Sequence, residues 1–290
     1  MNTNNWPYIE RAIENRILIL DGAMGTMLQV SKFEEADFRG ERFADWPSPL
    51  RGNNDLLNLT KPDAIGDVHD SFLAAGADLI ETNTFNATSV SQNDYGLSEY
   101  APEIAKAGAQ IARARADAWT AKTPEKPRGV LGAIGPLSKT LSLSPKVEDP
   151  GYREVDFDHV RHAYRDQINA MFDDVDALLI ETVFDTLNAK AALFAIEEVK
   201  DEFIKWLETR KFAPVIKALK KKLKTMKDEE LDFQSKKISD FNSAQADIIS
   251  ERIIQKITKQ FANHLKDTEI DSDTSLELIQ RVFQLELETK

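Results

Sequence analysis

Short apolar runs recur through the first two thirds of the chain, each closing on glycine or polar residues and each followed by a helical stretch. The first covers residues 17–20 (ILIL) and leads into Asp21, Gly22 and Gly25. An unbroken run of this length suits a strand buried on both faces of a parallel sheet. Similar strand candidates fall at 55–60 (DLLNLT), 78–85 (DLIETNTF), 128–136 (RGVLGAIGP) and 176–185 (DALLIETVFD). Helices are expected over 6–15, over 62–75 between Pro62 and Gly76, over 102–119, over 157–172 and from 188 onward. Proline is tolerated in a first helical turn and glycine favours a helix end.

Five strands alternating with helices require right-handed parallel crossovers, hence a doubly wound sheet or a barrel. The polar tips then gather at the C-terminal edge of the sheet, where such folds keep their sites. Neither a G-x-G-x-x-G fingerprint nor a P-loop is present, so nucleotide binding has no support and a barrel is favoured. An acid at a strand tip followed by bare amides, as at Asp21–Gly25, can grip both the amine and the carboxylate of an amino acid.

Composition divides the chain in two. All 12 glycines lie at or before Gly151, and of the 11 prolines only Pro214 follows residue 198. Residues 199–290 hold 18 Lys+Arg against 17 Asp+Glu, which leaves 19 basic against 32 acidic residues in 1–198. We therefore assign two domains, 1–198 and 199–290. The net charge of −12 argues against general nucleic-acid binding. No apolar run reaches membrane-spanning length and residues 1–16 lack a signal-peptide core, which predicts a cytoplasmic protein with no membrane partner.

Five ordered motifs carry a resemblance: DGAMGT at 21–26, LNLTKP at 57–62, AGADLIETNTF at 75–85, GAIGP at 132–136 and LIETVFDT at 179–186. Together they resemble the homocysteine-binding barrel of cobalamin-dependent methionine synthase. The resemblance implies a (β/α) TIM-type barrel, of which about five of eight strands are present. It also implies an amino-acid ligand, homocysteine, held by Asp21, the amides of Gly22, Ala23, Met24 and Gly25, Asn83 and Glu181. Glu181, set in an otherwise apolar run, would be costly to bury unpaired, which favours a ligand-facing role.

In that family zinc activates the homocysteine thiol, three cysteines hold the zinc, and the methyl group comes from methylcobalamin. A free thiol near pKa 8.5 is only about 3 % ionised at pH 7, whereas a coordinated one is deprotonated outright. This chain contains no cysteine. His159 and His162 share a helical face at i, i+3, but that helix lies outside the barrel; His69 and His264 stand alone. No metal site and no cofactor is therefore expected in this chain. Five strands cannot close a barrel, and two copies would supply ten rather than eight.

From Val199 the pattern is helical and free of glycine. Phe203, Trp206, Leu207 and Arg210 continue the helix begun at 188, and Pro214 opens a new segment. An apolar stripe of Val215, Ile216, Leu219, Leu223 and Met226 is backed by Lys217, Lys220, Lys221, Lys222 and Lys224, read as a solvated face. Asn242 with Gln245 forms a capping box ahead of Ile248, Ile249, Ile253, Ile257, Phe261 and Leu265, a stripe reaching Lys266. Thr274 with Glu277 is a second cap, before Leu278, Ile279, Val282 and Phe283. This tail resembles the C-terminal dimerisation domain of glutamyl-tRNA reductase, through EFIKWLETRKFAPVIKALKKKL at 202–223, EELDF at 229–233 and IIQKITKQFANHLK at 253–266. The resemblance implies an all-α segment that forms a homodimer. The sequence thus reads as a fusion, an α/β homocysteine-binding region without methyl transfer of its own joined to a dimerisation module. The alternative is a non-catalytic interaction protein built on the reductase tail, from tetrapyrrole biosynthesis.

Overall fold

Local chemistry sets most element ends. The computed structural model describes residues 5–210, 212–265 and 272–285. The chain divides into two compact units, 1–199 and 200–290. In the first unit α1 (Trp6–Asn15) carries Pro7 in its first turn. Two short helices, α2 (Met24–Val30) and α3 (Glu35–Arg39), follow, then α4 (Leu57–Thr60) and α5 (Pro62–Ala75). Pro62 opens α5, and Gly76 closes it at φ 109°, a left-handed conformation that favours glycine. Next come β1 (Leu79–Glu81), α6 (Ser89–Gln92), α7 (Ala101–Lys122), β2 (Gly129–Ile134), α8 (Phe157–Met171), β3 (Ala177–Ile180) and α9 (Thr186–Arg210).

The strands form one parallel sheet in the order β1-β2-β3, with Ile80 opposite Val130 and Gly132 opposite Leu178. Two aspartates lock its N-terminal side. Asp78 accepts bonds from the Ile19 amide (2.9 Å) and the Arg16 guanidinium (2.8 and 2.9 Å). Asp176 accepts from Arg113 (2.7 Å) and from the amides of Val130 and Asn5 (both 2.8 Å). Helices α7 and α8 pack against the sheet and α4 against α7, burying Leu57, Ile104, Ile134, Tyr164 and Ile168.

Three expectations need correction. The run at 17–20 is no buried strand: it touches the sheet through one parallel bridge, Leu20 to Leu79, and Ile17 and Ile19 are 84 % and 55 % exposed. No neighbour covers its far side among the described residues, so its apolar side chains meet solvent. The segment 55–60 is helical, a 3₁₀ turn over Asn54–Leu56 running into α4. Leu56 and Leu57 are both fully buried, one ending the 3₁₀ turn and the other opening α4. Of the five expected strands three pair as a sheet, and the 17–20 segment joins its β1 edge by the single bridge.

In the second unit Pro214 lies in the first turn of α10 (Ala213–Lys237), as its chemistry requires. It is followed by α11 (Ser243–Leu265) and α12 (Ser272–Phe283). The Asn242 side chain caps α11 by accepting from the Gln245 amide at 3.1 Å. Helix α12 starts two residues before the expected cap, so Thr274 lies within its first turn. Phe212, Val215, Leu219, Leu265 and Ile279 form the core. Lys224 and Lys227 pair with Glu251 (2.8 Å) and Asp247 (2.6 Å), while Lys217, Lys220, Lys221 and Lys222 are exposed. The side chains of Phe203, Trp206, Leu207 and Arg210, and Lys266, lie outside the described residues.

Candidate functional site

Beyond the C-terminal ends of the strands lies an open cleft of about 320 Å³. Its lining contains every residue nominated from the sequence: Asp21, Gly22, Ala23, Met24, Gly25, Asn83 and Glu181. Asn54, Asp55, Glu81, Thr82, Phe85 and Asn86 complete it. The first-turn amides of α2 have no partner inside that helix and border the same cleft.

The polar frame around the cleft is tightly bonded. Asn83 donates from Nδ2 to the Asn54 carbonyl (2.9 Å) and to Asn58 Oδ1 (3.0 Å). Asn58 donates in turn to the carbonyls of Asn83 (2.7 Å) and Ile104 (3.0 Å). Gly108 on α7 makes room for this pair, since a Cβ there would stand 2.6 Å from Asn58 Nδ2. Asp21 is also engaged: its side chain is 4 % exposed and Oδ1 accepts from the Glu81 amide at 2.9 Å. Its other oxygen lies 3.8 Å from His69 Nδ1, too far for a hydrogen bond. His69 is fully buried, and neither ring nitrogen has a hydrogen-bond partner among the described residues.

Four carboxyls and no basic side chain line the cleft among the described residues. Burial pushes Asp55 up to about 7, against the opposing bond from the Asn86 amide. Burial, and then the charges of Glu181 and Asp21, push Glu81 up to about 7. Glu181 is raised too, by burial first and by the Asp21 charge as well. Burial is the first cause in all three, and no basic side chain lines the cleft among the described residues to offset it. An ammonium group is the kind of ligand that would relieve them.

Backbone strain marks both flanks. Ala23 (φ 50°) and Thr182 (φ 53°) occupy the left-handed region without being glycine, and a β-branched residue there is a genuine outlier. Each adjoins the cleft, one before α2 and the other directly after Glu181. Such strain persists only where surrounding structure imposes it, and it concentrates at ligand sites.

Sequence reasoning passed over Asn54, Asp55, Glu81 and Asn86 as site residues. A signal for Glu81 was present: the tetrapeptide Leu-Ile-Glu-Thr occurs at 79–82 and again at 179–182. The two copies end β1 and β3 and bring Glu81 and Glu181 to one cleft. Asp55 and Asn54 carried no such signal, because their segment reads equally well as a strand.

The donor set does not fit a zinc site of thiolate type. The cleft offers carboxyls and amides, the chain has no cysteine, and the described residues contain no group of three or more His, Cys, Asp or Glu placed to hold a metal ion. His159 and His162 lie on α8, away from the cleft. No helix among the described residues is long and apolar enough to cross a membrane.

Residues 18–216 match the family model for homocysteine S-methyltransferase, and residues 191–285 match that for the glutamyl-tRNAGlu reductase dimerisation domain. Among solved structures, the metallated homocysteine methyltransferase MmuM from Escherichia coli aligns with a TM-score of 0.51 at 21 % identity, over 66 % of this chain and 63 % of that one. Its oxidised form aligns with a TM-score of 0.47 at 24 % identity, over 62 % and 57 %. The apo form gives 0.44 at 20 %, over 64 % and 57 %. The chain thus spans less than two thirds of the length of these structures.

Proposed function

The chain belongs to the homocysteine S-methyltransferase family, and from that premise we propose that its first unit is a half-barrel that binds homocysteine by its amino-acid end. The observation that carries this reading is the acid-only cleft at the strand ends. In it Glu81 and Glu181 receive the substrate ammonium, with Asp21 fixing the Glu81 backbone behind them. The amides of Gly22–Gly25 receive the carboxylate, favoured by the positive end of α2. Asn83 acts by holding the walls, since its two N–H donors are committed to Asn54 and Asn58.

Methyl transfer is not proposed for this polypeptide alone. In a zinc-dependent methyl transfer the metal would supply the homocysteine thiolate, and no thiolate ligand exists here to hold it. The second unit supports a homodimer, on the match of residues 191–285 to a dimerisation domain.

Titration calorimetry of the full chain tests the binding. L-homocysteine should bind, and its analogue lacking the amine, 4-mercaptobutanoate, should not. Glu181→Gln should weaken homocysteine by about ten- to hundred-fold, the worth of one charge-assisted hydrogen bond. Equal affinity for both ligands would refute the ammonium assignment.

A further inference from the structure

We propose that a second copy of this chain completes the barrel, the sheet of one half-barrel closing against the sheet of the other around a shared mouth. The inference rests on the half-barrel reading above. It follows from the sheet, whose three strands and the 17–20 segment bridged to β1 make four positions side by side. The parallel order is the 17–20 segment, β1, β2 and β3, and each outer position has a free edge among the described residues. Two such sheets supply eight strands, the number at which a β/α barrel closes around a packed interior.

Exposure follows the same logic. The middle strand β2 is almost wholly buried and β3 is half-buried throughout. At one edge Ile17 and Ile19 are 84 % and 55 % exposed; beyond the other, Val183 and Phe184 are 51 % and 62 % exposed. Cover is lost toward both edges, as in a barrel opened along two seams. A free parallel edge with apolar side chains is a pairing site that a soluble protein does not leave open.

A copy of the same chain is the occupant that suits both seams. The two edges of a parallel sheet differ, and a two-fold axis along the barrel would set each β3 beside the partner's 17–20 segment, twice over. Exposed apolar residues also occur on α9, inside the range that matches a dimerisation domain. Leu193 and Phe194 on α9 are 53 % and 60 % exposed, and they lie within the matched range 191–285. The cleft gains from this closure, because Asp21 and Glu181 stand at opposite edges of the sheet with its mouth open between them. The partner's strand ends would supply the missing wall.

Cross-linking tests the arrangement, helped by the absence of native cysteine. Full-length Ile19→Cys and Leu179→Cys chains, carrying different tags, are co-expressed and treated with a short bismaleimide. The expected result is a cross-linked pair joining the two tags, with little product from either variant alone; Val183→Cys serves as a second probe of the β3 edge. Amide exchange on the same samples separates the failures. Dimers by light scattering with no mixed cross-link, while amides at 79–81 and 129–134 stay protected, would overturn the pairing and leave the half-barrel standing. Free exchange at those amides would overturn the half-barrel and the pairing with it. In the first of these failures, a cross-link appearing only after a different chain is added would assign the seams to that chain.

Discussion

Glu81, Glu181 and Asp55 set the electrostatics of the cleft, because burial raises the pKa of each. Their unfolded forms titrate near 4, whereas Asp55 and Glu81 titrate near 7 when folded. Between those values the folded chain holds more protons than the unfolded one, so its stability falls as pH rises through the window. The urea midpoint of the first unit should therefore drop between pH 5 and pH 8. Asp55→Asn, which keeps the acceptor for the Asn86 amide, should raise the midpoint at pH 8 and change it little at pH 4.5. A flat profile in the parent chain would show that these acids are not held protonated. Ligand affinity should run the other way and rise with pH, since only the ionised acids attract an ammonium group. The family resemblance named Asp21, Gly22, Ala23, Met24, Gly25, Asn83 and Glu181, and the fold gathers them along one cleft. His69 was not among them, because nothing in a lone histidine foretells complete burial beside Asp21.

Among the elements, those punctuated by chemistry were readable and those defined by their neighbours were not. Pro7, Pro62, Gly76 and Pro214 mark helix ends wherever they occur, and α1 and α5 match the expected spans. The segment 55–60 misled because adjacent leucines fit a buried strand as well as a helix touching two neighbours. The run at 17–20 misled differently: its pattern is that of a buried strand, but burial depends on a partner on its far side. Helix α11 shows the same dependence. Ile254 and Leu265 are buried within the unit, whereas Ile248, Ile249 and Ile253 are 51–61 % exposed. An apolar stripe of this kind marks an interaction face. Ile249→Glu should weaken dimerisation by about ten-fold or more, the effect of burying a charge at an apolar contact. Light scattering across a dilution series would show it, and an unchanged dissociation curve would place the contact elsewhere.

For the whole molecule, two family matches meet within one helix. The matched ranges overlap over residues 191–216, and α9 runs through the first part of that overlap. The first unit, which carries most of the homocysteine S-methyltransferase match, holds a parallel sheet, its covering helices and the cleft at its strand ends. The chain has no cysteine to hold a zinc ion by thiolates. Purified chain should accordingly contain far less than one zinc per polypeptide by elemental analysis, and near-stoichiometric zinc would contradict the account. The proposed function turns on homocysteine being held between the α2 end and the tip of β3. Amide exchange with and without saturating L-homocysteine tests it most directly. The account predicts slower exchange at both 22–26 and 181–183, with residues 212–265 unchanged. Binding that leaves both segments unchanged, or that protects only the second unit, would contradict it.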